Sequence, residues 1–241
     1  MGEADRKLVD AHYLCGYRAA DEFVTSGMVL AFGSGPAVVH CMERVGERME
    51  SGELKGMTVV STCRSGEGHR QGLGLPLAPL DVAVVDVMFD VASSIDPGMN
   101  AVIGEDGAVL KRQLVRSKSK RLVVLTDYSR TVPVGRGDFP IFVALARQAP
   151  SGVLHSILSE PTVAEEAKLV RTAAGGLHIT EDGFCLAEVI IPRDVPDLQQ
   201  WCRKVLQIRG VMGHGLFCAV DAVVIGHNRG TSILLQKSLT P

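Results

Sequence analysis

The sequence predicts an α/β protein on a mostly parallel sheet, with a small α+β unit inserted into it. Three observations carry this. In the first half of the chain, short apolar runs alternate with amphipathic stretches of helical spacing. At about Val132 the pattern changes to strand-like runs separated by a Glu181-Asp182-Gly183 turn signal. With 241 residues, 46% of them hydrophobic, the chain can bury a core of that size.

The elements follow in order. Arg6 to Thr25 carries Leu8, Ala11, Cys15 and Ala19, with Phe23 following, at helical spacing, and Ser26-Gly27 ends it. Met28 to Phe32 is wholly apolar, as a parallel strand buried on both faces should be. Gly33-Ser34-Gly35-Pro36 opens the next helix, with Pro36 at the position where a missing N–H costs least. That helix sets Val39, Met42, Val45 and Met49 on one face. Strands are expected at Met57–Thr62, Asp81–Ala92 and Leu122–Thr126, with a polar glycine-rich stretch over Cys63–Gly74. In the inserted unit we expect strands at Ile141–Leu145, His178–Thr180 and Phe184–Ile191. Helices are expected there at Val163–Thr172 and Val195–Gln207. Residues 1–131 with 206–241 then form the core, and 132–205 the inserted unit.

Composition excludes some classes. A net charge of -2 and a pI near 6.4 give no basis for nucleic acid as a partner. The one dense basic run, Lys111–Arg121, reads as a solvated helix face, with an anion-binding patch as the alternative. No apolar stretch is long enough to span a bilayer. The six cysteines have no CxxC or other metal-ligand spacing, so neither metal nor cofactor is expected. Their scatter among apolar runs suits a reducing intracellular compartment, the cytoplasm or an organelle matrix. Met1-Gly2-Glu3-Ala4-Asp5 does not look like a secretion signal.

Three places could carry chemistry. Gly33, Ser34 and Gly35 at a strand-to-helix junction could hold an anion against backbone N–H groups, although two glycines also make an ordinary tight turn. Asp90, at the end of its strand, could move protons or bind hydroxyls, or could cap a turn. Asp127-Tyr128-Ser129-Arg130 follows another strand. There Arg130 could fork onto a phosphate or pair with Asp127 at the surface.

The order of these motifs resembles the type A ribose-5-phosphate isomerases over nearly the whole chain. Gly33-Ser34-Gly35-Pro36-Ala37 stands where that family has a Gly-Thr-Gly-Ser-Thr-type phosphate loop. Ser61-Thr62-Cys63 falls on its Thr-Ser pair, Asp96-Pro97-Gly98-Met99-Asn100 on its Asp-Pro-Asn-Leu-Asn turn, and Asp127-Tyr128-Ser129-Arg130 on its Asp-Glu-Ser-Lys. Gly210-Val211-Met212-Gly213-His214-Gly215-Leu216-Phe217 matches its late Gly-Val-Val-Glu-His-Gly-Leu-Phe. The resemblance implies a Rossmann-like core, a ferredoxin-like lid and self-association or a place in a larger assembly. It also implies a sugar phosphate as ligand, held by Gly33, Ser34, Gly35, Thr62, Asp127 and Arg130.

The same resemblance marks departures. The family's Asp-Gly-Ala-Asp-Glu falls on Asp90-Val91-Ala92-Ser93-Ser94, so the first aspartate is kept and the second is Ser93. Its Lys-Gly-Gly-Gly-Gly loop falls on Ile103-Gly104-Glu105-Asp106-Gly107, and the glutamate it uses as base falls on Arg112. Arginine has no neutral form near pH 7 and cannot be a base; isoleucine offers no charge to an oxyanion. The resemblance thus implies two readings: a relative without isomerase chemistry, kept as a binding or structural subunit, or a divergent aldose-ketose isomerase that uses Asp90 with Glu105 or Asp106.

Overall fold

The computed structural model describes residues 3–63, 74–79, 81, 84–132, 134–135, 139–193, 195–227 and 230–235, the side chains of 3–10 and 235 excepted. Most of the glycine-rich stretch expected at Cys63–Gly74, with His69, lies outside the described residues, as does Leu80. The chain divides into two compact units. One comprises Met1–Ala92, Leu114–Thr131 and Ala219–Pro241; the other comprises Ser93–Gln113 and Val132–Cys218.

The first unit is built on a six-stranded sheet. Its strands are β1 (Val29–Phe32), β2 (Thr58–Ser61), β3 (Val85–Val91), β6 (Ser119–Asp127), β12 (Ala222–His227) and β13 (Gly230–Leu235). They lie in the order β13-β12-β6-β3-β1-β2, and every pairing is parallel except the terminal hairpin β12-β13. This is the Rossmann-like sheet expected from the alternating pattern. The apolar residues of β1, β3 and β6 explain its burial, and Phe32 and Phe89, in register on β1 and β3, stack with centroids 5.5 Å apart.

Helices α1 (Glu3–Phe23) and α2 (Pro36–Glu50) pack against each other, with Cys15, Ala19, Val38, Cys41, Met42 and Val45 in the core. Gly16 lets them approach closely: a Cβ there would lie 2.4 Å from the Ala37 carbonyl oxygen. Asp86, one of two acids in the strand β3, accepts from the Val29 N–H at 2.8 Å and from Lys120 at 2.7 Å. These bonds hold its pKa below the ordinary value, Lys120 contributing most.

The second unit carries a four-stranded antiparallel sheet of β7 (Ile141–Leu145), β8 (Glu166–Leu169), β9 (Cys185–Ile190) and β10 (Val211–His214), ordered β10-β7-β9-β8. With the helix Pro150–Leu158 after β7 and the helix Leu198–Gln207 after β9, this is the ferredoxin-like β-α-β-β-α-β arrangement. A short three-stranded sheet joins β4 (Ser94–Ile95), β5 (Ala101–Val102) and β11 (Leu216–Phe217). Residues 93–113 and 206–218 group with this unit because β10 pairs with β7 and β11 with β5. Asp197 caps the helix Leu198–Gln207, accepting from the Gln199 and Gln200 N–H groups at 2.8 and 3.1 Å. Trp201, almost fully buried, donates from Nε1 to the Val163 carbonyl at 2.7 Å.

Two local expectations are corrected. Val163–Thr172 is not a helix; its centre is β8, where Glu166 and Lys168 are exposed and Ala167 and Leu169 half-buried. That alternation has period two, and the apolar flanks Val163 and Val170 imitate a helical spacing. The helix at Pro150–Leu158 was not expected, because Gly152 and two serines dilute its apolar face; Pro150 at its first turn marks its start. His178–Thr180 contributes an isolated bridge, Ile179 to Cys185, and no full strand.

Candidate functional site

Within the first unit, the parallel pairing brings the C-terminal ends of β1, β2, β3 and β6 to one sheet edge, where α/β folds place ligands. Gly33, Ser34 and Gly35 follow β1, Thr62 follows β2, Asp90 is the penultimate residue of β3, and Asp127 ends β6 with Arg130 three residues on. Of the residues singled out from sequence, these seven therefore share an edge.

Asp90 is fully buried. A buried carboxylate must be hydrogen-bonded, and its Oδ1 accepts from the Val91 N–H at 2.9 Å. Gly33 lies directly against it: a Cβ at Gly33 would fall 2.0 Å from that oxygen. The glycine is required by this contact, not by backbone conformation, and the Gly33 N–H donates to the Phe89 carbonyl at 2.8 Å. Gly35, at φ 111°, is the N-cap of α2; its conformation is one that L side chains rarely adopt. No side chain caps α2, and Pro36 supplies no N–H, so any backbone donors at this helix start come from the residues after it. Ser34 is half-buried beside them.

Thr62 is fully buried, and its hydroxyl donates to the Phe32 carbonyl at 3.1 Å. The proton is used to join the ends of β1 and β2, leaving lone pairs only. Asp127 caps the single 3-10 turn Tyr128–Arg130, accepting from the Ser129 N–H at 2.9 Å and from its hydroxyl. The Asp127 carboxylate also faces His12 at 3.8 Å, on α1, and this contact chiefly lowers its pKa to about 2. The surface pair considered from sequence, Asp127 with Arg130, is thus replaced by Asp127 with His12. The two partners are far apart in the chain, and no spacing signalled them.

The second unit holds Ser93, Ile103 and Arg112. Ser93 bonds the Val102 carbonyl through its N–H at 2.8 Å and its hydroxyl at 3.2 Å. Ile103 is fully buried, and its N–H donates to the Gly215 carbonyl at 2.7 Å. Arg112 is 1% exposed and pairs in a fork with Asp106: Nη1 meets Oδ1, and Nη2 meets Oδ2 at 2.9 Å. Nη1 also reaches the Ala108 carbonyl at 3.3 Å. Asp106 in turn accepts from the Ala108 N–H at 3.2 Å, just ahead of the helix Val109–Ser117, where a negative charge is favoured. Arg112 is therefore no part of a solvated helix face, as the basic run had suggested. This Asp106–Arg112 pair was not read from the sequence, though an acid before a helix and a base at the end of its first turn is its signal. Glu105, in contrast, is exposed, in a shallow groove with Phe142, Lys168 and Glu188.

Among the described residues, no three His, Cys, Asp or Glu side chains converge as a metal site. None of the described helices is long and apolar enough to cross a membrane.

The family model described as ribose 5-phosphate isomerase A (phosphoriboisomerase A) matches residues 58–230, well over half of the chain. The chain belongs to the ribose 5-phosphate isomerase A family. A curated relative of the family, the probable ribose-5-phosphate isomerase 2 of Arabidopsis thaliana, is 30% identical over 217 residues, covering 88% of this chain and 81% of that protein. The ribose-5-phosphate isomerase of Plasmodium falciparum is 26% identical over 93% of this chain and 96% of its own length. Among solved structures, the Plasmodium falciparum ribose 5-phosphate isomerase superposes with a TM-score of 0.87 at 25% identity, covering 95% of this chain and 99% of that one. The family A isomerase of Methanocaldococcus jannaschii superposes with a TM-score of 0.85 over 94% and 98% of the two chains.

Proposed function

We propose that this member of the ribose 5-phosphate isomerase A family keeps the fold and the phosphate-loop edge but not the proton-transfer chemistry. It serves as a binding or structural subunit, in a larger assembly or as an oligomer of itself. The observation that carries this is Arg112, buried and forked onto Asp106, at the position where the family's glutamate base is expected. Aldose-ketose interconversion moves a proton between adjacent carbons and needs a group that can accept it. A guanidinium cannot. Nor can the buried Ile103 stabilise charge on an enediolate oxygen. Asp106 is held by Arg112 and the Ala108 N–H, which argues against its acting as a relocated base.

A second reading is an active isomerase that interconverts ribose 5-phosphate and ribulose 5-phosphate. The full-length similarity to proteins named as such isomerases favours it, as does the retained, buried Asp90 beside Gly33. Glu105 is the base left to it.

A thermal-shift series with ribose 5-phosphate, run beside an isomerase assay, separates the readings. The first reading expects no turnover, with a rise in melting temperature if the Gly33-Ser34-Gly35 loop still holds phosphate. Turnover abolished by Asp90→Asn and by Glu105→Gln would establish the second.

A further inference from the structure

We propose that Cys202 and Cys218 form a reversible disulfide, which makes this pair the thiol-oxidation site of the protein. The two sulfurs lie 3.8 Å apart in the second unit, joined by a single S–H···S contact. Cys202 is on the helix Leu198–Gln207, and Cys218 follows β11 directly. Both are half-buried, whereas Cys15, Cys41, Cys63 and Cys185 are buried. An oxidant in solution therefore reaches this pair before the others. A disulfide needs its sulfurs about 2.05 Å apart, so the two side chains must close the remaining gap as the bond forms.

Acidity points the same way. Burial pushes the Cys15 thiol up to about 12 and Cys41 well above its ordinary value, so neither supplies thiolate. In the pair, the hydrogen bond from Cys202 lowers the Cys218 pKa, against burial and the nearby Asp197 and Asp96, while Cys202 is raised. Cys218 is the attacking sulfur and Cys202 keeps its proton until the second step.

With a small-molecule disulfide such as oxidised glutathione as oxidant, the chemistry balances. The Cys218 thiolate attacks one sulfur, its S–S bond breaks, and one glutathione thiolate leaves. Cys202 then loses its proton and attacks Cys218 in the mixed disulfide, expelling the second glutathione. The protein loses two electrons and two protons; the small disulfide gains both. The resulting bond ties the helix to the end of β11 and closes a segment that holds the last turn of the helix, β10 and β11. An excess of reduced glutathione reverses it.

The test uses the full chain. The purified protein is incubated with millimolar oxidised glutathione, alkylated without reduction, digested and mapped by mass spectrometry. The expected result is one peptide pair linked through Cys202 and Cys218, removed by dithiothreitol, with the four buried cysteines still alkylatable after unfolding. Cys202→Ser should trap glutathione on Cys218 as a stable adduct, and Cys218→Ser should trap it on Cys202, because neither variant keeps the second thiol that expels it. A wild-type map with no such linked pair, or with a stable glutathione adduct on Cys218, would overturn the proposal without recourse to any variant.

Discussion

Asp106→Asn tests what Arg112 is for. The substitution takes the Asp106 charge away from a guanidinium that is 1% exposed, while keeping side-chain shape and one acceptor. Removing one partner of a buried ion pair costs about 3–5 kcal/mol. Here Asp106 is 35% exposed and the Ala108 carbonyl remains at 3.3 Å, so solvent and that bond relieve part of the cost. We expect a loss of about 2 kcal/mol. For a chain of this length, at about 2–4 °C per kcal/mol, the melting temperature falls by roughly 4–8 °C. Arg112→Met in the same background removes the buried guanidinium and fills the space with apolar volume. The double variant should therefore regain most of the loss, a non-additivity that a double-mutant cycle in urea reads directly. A single Asp106→Asn variant within about 0.5 kcal/mol of wild type would refute the assignment of Arg112 to an internal pair.

Further outcomes follow from the same geometry. Gly33→Ala drives a methyl into the Asp90 carboxylate at 2.0 Å and should cost about 3 kcal/mol or more, or abolish soluble expression. Gly152→Ala, with nothing within 4 Å, should be neutral or stabilising in thermal denaturation. Burial lowers the His214 pKa to about 4, below the value near 6.5 of the unfolded chain. The unfolded state thus binds the extra proton first, and stability present above pH 6.5 is lost as pH falls towards 4, by about 3 kcal/mol in all. His214→Gln should flatten that slope in urea titrations. Asp127, lowered to about 2 chiefly by His12, contributes stability above pH 4 that is lost between about pH 4 and 2. His12→Ala should move the acid-unfolding midpoint upward.

The sequence carried the first unit well because its signals are local. Apolar strands such as Met28–Phe32, glycines at strand ends and the face of α2 each fix one element whatever the rest of the chain does. The second unit was harder. At β8, an edge strand with Glu166 and Lys168 in solvent, apolar flanks gave a helical period that the sheet overrides. Asp90 and Gly33 were legible as strand-end residues, but not their contact, since that depends on β1 and β3 pairing in register. The partners of Asp127 and of Cys202 were hidden for the same reason: His12 and Cys218 become neighbours only through tertiary folding. Arg112 shows the converse. Its place in a basic run suggested a wet face, yet it is buried and forked onto an acid six residues earlier.

The most direct measurement is turnover of ribose 5-phosphate by the purified full chain, followed by appearance of ribulose 5-phosphate. Arg112 buried on Asp106 and Ile103 sealed in the second unit predict none above the uncatalysed background. Robust turnover that disappears in Asp90→Asn would contradict the account and show that the family's chemistry persists on a different base.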